Sequence, residues 1–244
     1  MKEIGRVTQL AVQFMNGKCI FENRLASFSD IEGWIIEGEA NVQFIDNRLH
    51  IENKLDAEIF GDNAHWVIWC PKTFPDKICI EWDFHPVREP GLCMLFFSAT
   101  GRNGEDIFDE RLPKRSGKYP EYHSGAINAL HLSYFRHKHQ EERAFRTCNL
   151  RKSYGFHLVA MGADPLPPVE DAIPPYKMRV VKYDGEVHFS INQLPIFQWK
   201  DDGKKFGEIL SGGKIGFRQM APMKAAYANL KVFEAIAVEK SDEA

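Results

Sequence analysis

KMRVVKYDGEVHFSINQLPIFQWK, residues 177–200, spells out three short strands and the two turns between them. Apolar and polar residues alternate on either side of Asp184-Gly185 and again around Asn192-Gln193. A period of two puts successive side chains on opposite faces of a strand, and Asp-Gly is a preferred two-residue hairpin turn. The segment therefore predicts a three-stranded meander. The same pattern recurs outward from it. NVQFID (41–46), RLHIEN (48–53), HWVIWCP (65–71), KICIEWDF (77–84), GLCMLFFSATG (91–101), NALHLSYFR (128–136), AFRTCNLRKS (144–153) and GFHLVAMG (155–162) precede it, and GKIGFRQM (213–220) and AAYANLKVFEA (225–235) follow. Many short strands rich in aromatic and β-branched residues, with no long helical period, predict an all-β sandwich or barrel.

The rest of the chain fits one such domain. DPLPPVEDAIPP (164–175) holds too much proline for a central strand or helix and reads as a surface loop within the domain. One helical turn is expected in HKHQEERAF (137–145). The expected organisation is an N-terminal extension over 1–20, one β-sandwich over 21–238 and a frayed, charged tail over 239–244. With 44% hydrophobic residues in 244 there is ample material for a core, and a net charge of -3 offers phosphate backbones or anionic lipid no global attraction. Nucleic acid and membrane are therefore not expected partners. The first residues lack a secretory apolar core, and no run approaches a membrane span. Cys19, Cys70, Cys79, Cys93 and Cys148 are odd in number and lack paired metal spacing, so free thiols in a reducing, cytoplasmic setting are expected. Neither a cofactor nor a metal is expected: no phosphate loop, GxSxG elbow or HExxH motif occurs, and His137 and His139 lack a third ligand.

Strand alternation sorts the polar residues into faces. In β-strand register Glu81, Asp83 and His85 oppose Ile80, Trp82 and Phe84; Thr147, Asn149 and Arg151, with Arg143, oppose Cys148 and Leu150. His131 and Ser133 fall with Phe135, and Leu130 and Leu132 with Tyr134 and Arg136. If these strands are neighbours, one sheet face carries a polar field edged by Trp66, Trp69, Tyr122 and Trp199. Such a field suits a sugar, whose hydroxyls need paired donors and acceptors and whose apolar ring face lies on an aromatic plane. Arg143, Arg146 and Arg151 with Lys152 suit a uronate carboxylate, which a guanidinium grips with two parallel bonds. The alternative is a solvated, exposed sheet face.

Catalytic groups are sought in the same field. YPEYHSGAINALH, from Tyr119, brings Glu121, Tyr122 and His123 to the approach of the strand carrying His131, a set able to transfer protons near neutral pH. Glu81 with Asp83, or Glu81 with Glu121, are the carboxylate pairs a glycosidase would use.

WCPKTFPD, PGLCMLFFSATG, GEDIFD, YPEYHSGAINALHLSYFR, EERAFRTCNLRKS, GFHLVAMGADPLP, HFSINQLPI and GKIGFRQMAPMKA together resemble the bacterial YesU-like family, over about residues 21–232. That resemblance implies a galectin-like, concanavalin A-like jelly-roll sandwich of two antiparallel sheets. It also implies a role with rhamnogalacturonan or other pectin-derived sugars, because the type member lies among genes for rhamnogalacturonan breakdown. It carries over no catalytic residue, the family being of unknown function. Three readings follow. One is an enzyme on a uronate-containing oligosaccharide: a lyase with His123 or His131 as base and Tyr122 or Tyr134 as acid, or a hydrolase with Glu81 and Glu121. Another is a non-catalytic lectin-like domain, and the third a structural partner of an enzyme. Homo-oligomerisation is left open.

Overall fold

A computed structural model describes residues 13–137 and 146–238. Most of the helical turn expected over 137–145, and the tail 239–244, lie outside the described residues. Strands are numbered along the chain. The first half holds β1 (Gln13–Asn23), β2 (Ile35–Gly38), β3 (Ala40–Ile45), β4 (Arg48–Asn53), β5 (Trp66–Phe74), β6 (Ile78–Arg88) and β7 (Gly91–Gly101). The second half holds β8 (Ile127–His137), β9 (Thr147–Ser153), β10 (His157–Ala163), β11 (Tyr176–Tyr183), β12 (Glu186–Ile191), β13 (Leu194–Lys200), β14 (Gly213–Met220) and β15 (Lys224–Val238).

These strands form two antiparallel sheets, as expected. The first runs β13-β12-β11-β6-β15-β4-β3, with β1 also paired to β15; the second runs β10-β9-β8-β7-β14-β5-β2. Residues 177–200 form the meander β11-β12-β13. Its second turn has positive φ at both Asn192 and Gln193, the backbone hand that matches the twist of the flanking strands. Every strand expected from the sequence is present. β1 and β2 were not foreseen, and β1 runs through the boundary expected at residue 20, with Cys19 opposite Phe233 and Phe21 opposite Val232. The proline-rich segment connects β10 to β11, crossing from the second sheet to the first.

The space between the sheets is filled by the apolar halves of alternating strands. Trp66, Ile68, Cys70, Cys93, Leu95, Phe97, Leu130, Leu132, Cys148, Leu150 and Phe217 face inward from the second sheet. They meet Ile80, Trp82, Phe84, Val180, Phe189, Tyr227 and Val232 from the first. Full burial of each large apolar side chain contributes roughly 1.5–3 kcal/mol, which is what selects this register over a one-residue slip.

One residue breaks the alternation. Phe135 has φ of 49°, a left-handed conformation unusual for a bulky side chain, and the pairing of β7 with β8 shifts register beside it. Tyr134 and Phe135 therefore both join the inter-sheet core, and Arg136 turns outward to donate to Thr147 Oγ1 at 3.3 Å. This corrects the simple parity, which grouped Phe135 with His131 and Arg136 with Leu132.

Because Leu132 and Ser133 face opposite sides, their truncations separate the layers. Leu132→Ala is expected to lower unfolding free energy by about 2–5 kcal/mol, and Ser133→Ala by under about 1 kcal/mol. Equal shifts in urea midpoint for the two variants would contradict this assignment of faces.

Candidate functional site

The outer face of the second sheet does not lie open. The segment between β7 and β8, residues 102–126, folds over it and forms a second apolar cluster, in which Ile107, Tyr122 and Ile127 pack on Val67, Trp69, Leu92, Met94 and Phe96. A glycine makes the closest approach possible: a Cβ at Gly216 would lie 2.5 Å from the Trp69 ring, so only glycine lets that indole lie flat on β14. Trp69 and Tyr122 each stack on Phe96, at 5.4 Å between ring centroids.

A buried carboxylate ties the segment down. Glu37 accepts from Trp69 Nε1 at 2.9 Å, Tyr122 Oη at 2.8 Å, Arg115 Nη2 at 2.6 Å and Arg115 Nε at 3.2 Å. Arg115 also donates to the Ile107 carbonyl, and the Tyr122 hydroxyl accepts from Gly117 N. Burial, with the charge of Glu37 and the bond to it, pushes Tyr122 far above the usual phenol range. Edge strand β2, its neighbour β5 and the covering segment are thus joined through one side chain.

From beneath this cover out to the exposed Leu158 and Met161, cross-strand register lines up two rows of side chains. Arg218, Met94, Ser133, Asn149 and Met161 form one row across β14, β7, β8, β9 and β10. Phe96, His131, Arg151 and Leu158 form the next. Tyr119 reaches over them from the covering segment: its hydroxyl lies 3.3 Å from His131 Nδ1 and its ring 5.0 Å from the Arg218 guanidinium. Burial pushes the Tyr119 hydroxyl up to about 12, against the pull of Arg218, Arg151 and Arg136 around it. His131 bonds Ser153 Oγ through Nε2, and burial holds its ring well below the ordinary 6.5, so it is neutral at pH 7. The one-turn helix Pro120–His123 sets His123 4.2 Å from the ring of Phe156, which in turn carries Arg151 at 4.0 Å.

The charge of this site is one-sided. Arg218 is fully buried; it donates to the Gly117 carbonyl, and its Nε and Nη2 have no hydrogen-bond partner. Among the described residues neither Arg151 nor Arg218 forms an ion pair, and Arg151 donates to the Phe156 carbonyl instead. Arg136 donates to Asn149 Oδ1 at 2.7 Å when that amide is oriented to satisfy its neighbours. Guanidiniums, a phenol, an amide and neutral imidazoles have the donors and acceptors to bond an anion and neighbouring hydroxyls.

The polar field expected from the sequence is therefore split. His131, Ser133, Asn149 and Arg151 converge, with His123 at the rim. Glu81 and Asp83 lie on β6 in the other sheet, and their charges are spent: Arg179 and Asn16 hold Glu81, while Lys177 and Asn229 hold Asp83. Glu81 cannot pair with Glu121 across the sandwich, and Glu121 accepts from Ser116 N and Oγ as a brace of the covering segment. Lys152 points to the inner side, buried, its ammonium 2.6 Å from Asp201 and bonded to the Gly207 and Glu208 carbonyls. Trp66 is fully buried between the sheets, as is Tyr134, and Trp199 packs on that core from β13 of the first sheet. Tyr122 is locked on Glu37. Arg146 stands just before β9, where its charge acts on His137, and Arg143 lies outside the described residues.

Tyr119, Arg218, Arg136 and Phe156 were not singled out from the sequence as site residues. Alternation in GKIGFRQM, which sets Arg218 opposite Phe217, is the signal that could have found Arg218. All five cysteines are free, and burial pushes Cys70 and Cys79 each up to about 11.

Residues 18–232 match the family model of a domain of unknown function, DUF1961. An uncharacterized protein, YesU, of Bacillus subtilis is 58% identical over 223 residues, covering 91% of this chain and 99% of that protein. A crystal structure from Bacillus subtilis of a protein of unknown function with a galectin-like fold superposes with TM-score 0.88 at 58% identity, over 92% of this chain and 99% of that one. An endo-β-1,3-glucanase from Pyrococcus furiosus shares the fold at TM-score 0.58 and 11% identity, over 91% and 95% of the two chains.

Glu37→Ala leaves the Arg115 guanidinium buried and unpaired, and is expected to cost about 3–5 kcal/mol, with faster amide exchange at Gly117 and Tyr122; unchanged protection there would dissociate Glu37 from the cover. His131 sets a pH dependence. Its ring binds a proton in the unfolded chain near 6.5 but resists one in the fold. Its contribution to stability is therefore complete above pH 6.5 and declines as pH falls below, by up to about 1.4 kcal/mol per pH unit. Urea titrations at pH 7 and pH 5 are expected to show a smaller loss for His131→Gln than for the wild type. Parallel losses would remove His131 as the source.

Proposed function

The chain belongs to the DUF1961 family, and from the site its fold assembles we propose that it binds a uronate-containing oligosaccharide on the outer face of the second sheet. One observation carries this reading: Arg151, half-buried and in no ion pair among the described residues, lies beside the hydroxyl of Tyr119 and the row of His131, Ser133 and Asn149, with the buried Arg218 guanidinium against the Tyr119 ring. A uronate carboxylate supplies the missing counter-charge and takes two parallel bonds from a guanidinium. Sugar hydroxyls take the amide, hydroxyl and imidazole groups, and the apolar face of a pyranose lies on the half-exposed ring of Phe156. The galectin-like fold of the close relative and the fold shared with a glucanase support a carbohydrate as the ligand class. A pectin fragment such as rhamnogalacturonan is the proposed source of the uronate, on the strength of the family resemblance, and the free thiols favour a reducing, cytoplasmic setting.

The position of Tyr119 favours a second reading, in which the bound uronide is cleaved by β-elimination. A carboxylate neutralised by Arg151 acidifies the adjacent C5 proton. His123, half-exposed and held below its ordinary 6.5 by burial, is the base. It removes that proton as the C4–O4 bond breaks, and Tyr119, kept protonated, gives its proton to the departing oxygen. The products are an unsaturated uronide and a free hydroxyl, with no added water or oxidant. Hydrolysis by Glu81 and Glu121 has no geometric basis, because the sandwich separates the two.

Calorimetric titration with galacturonate oligosaccharides and with neutral glucan oligosaccharides of equal length tests the proposal. The expected result is binding of the uronides alone, weakened by about 10- to 100-fold in Arg151→Ala. Equal affinity for neutral chains, or an Arg151→Ala variant that binds as well as the wild type, would overturn it. Absorbance of the unsaturated product, lost in Tyr119→Phe with binding kept, separates cleavage from binding alone.

A further inference from the structure

The loop between β9 and β10 presents aromatic rings two positions apart. Phe156 faces the site just described, against Tyr119 and His123. Tyr154 faces away from it, into a separate cleft of about 1060 Å³ that is also lined by Asn103, His157, Lys205 and Phe206. Each ring carries its own guanidinium, Arg151 at 4.0 Å from Phe156 and Arg102 at 4.1 Å from Tyr154. Tyr154 remains 45% exposed and Phe156 38%, so neither arginine covers its ring completely. Between them, Gly155 N donates to the His123 carbonyl at 2.9 Å, which fixes the loop against the covering segment.

The cleft has the same one-sided charge. Arg102 and Lys205 form no ion pair among the described residues. Lys152, at the cleft floor, is taken by Asp201; of the two carboxylates in the lining, Asp76 is held by Lys182, leaving Glu208 at the exposed margin. His157 and Phe206 pair at 4.7 Å and Lys205 lies over Phe206 at 4.9 Å, so aromatic and cationic groups line the cleft together.

Two stations of like chemistry thus share one loop, with backbone positions at most about 7 Å apart. We infer that the cleft is a second subsite, which receives the next acidic unit along the same oligosaccharide: its carboxylate on Arg102 and Lys205, its ring against Tyr154. This rests on the reading of the Arg151 site as a uronate receptor. The ligand is therefore an oligosaccharide with acidic units on both sides of the 153–157 loop, and a single uronic acid occupies only the first station.

Titration of the full chain with galacturonic acid and with its linear trisaccharide tests this. The wild type is expected to bind the trisaccharide at least about tenfold more tightly than the monosaccharide. Arg102→Ala and Tyr154→Ala, both at exposed positions, are expected to remove most of that gain and leave monosaccharide affinity unchanged, whereas Arg151→Ala weakens both ligands. Trisaccharide affinity that matches the monosaccharide's, or that survives Arg102→Ala and Tyr154→Ala intact, overturns the second subsite alone if Arg151→Ala still weakens both ligands. A wild type that binds neither ligand overturns the uronate receptor and the second subsite with it.

Discussion

The site depends on one carboxylate held by four hydrogen bonds beneath a covering segment. Glu37 sits on an edge strand, where a charged side chain would ordinarily reach water. Here it accepts four hydrogen bonds, one from an indole on β5 and three from a phenol and a guanidinium of the covering segment. A buried charge is tolerated only when it is paired and its remaining lone pairs are used. Satisfying Glu37 therefore dictates where Arg115 and Tyr122 must be, and with them the one-turn helix that carries Tyr119 and His123 to the sheet. The aromatic stack of Trp69, Phe96 and Tyr122 fills the space beneath, and the absence of a side chain at Gly216 lets it close.

The two outer sheet faces solve the problem of exposed polarity in opposite ways. On the first sheet several acids meet a base: Glu81 with Arg179, Asp83 with Lys177, Glu22 with Lys231. In these pairs the charges cancel, although Glu81, Asp83, Lys177 and Arg179 also line a cavity of about 460 Å³ on that face. On the second sheet the guanidiniums of Arg151 and Arg218 are stacked on rings and bonded to carbonyls, which orients them without cancelling their charge. Desolvated positive charge held in place in advance is what an anionic ligand uses most effectively, since the protein needs no reordering at the moment of binding.

How much of this could be read along the chain depends on the range of the interaction. The strands were legible because alternation and turn chemistry are local: Asp184-Gly185 and the apolar runs around it need no partner to be recognised. His131, Ser133, Asn149 and Arg151 were legible as a set because the same alternation marks them as outward-facing on β8 and β9. Tyr119 was not, since its place over His131 depends on Glu37 and Arg115, 82 and 4 residues away in sequence, by way of contacts that have no periodic signature. Arg136 was misplaced because a single left-handed residue, Phe135, inverts the parity after it.

The sequence by itself determined the all-β class, thirteen of the fifteen strands and, up to Phe135 in β8, their inward and outward faces, because these follow from side-chain alternation and the free energy of burying one face of each strand. Only the tertiary structure decided which outward faces share a sheet. Strand order is a matter of long-range pairing, and it sends β6 with Glu81 and Asp83 to one side of the sandwich and β8 with β9 to the other. Charge cancellation was settled at the same level: Lys152 and Arg151 are adjacent in the chain, but one is consumed by Asp201 inside and the other keeps its charge at the surface. Whether a cation is spent or available depends on what the fold brings to within 3 Å of it, which no local pattern records.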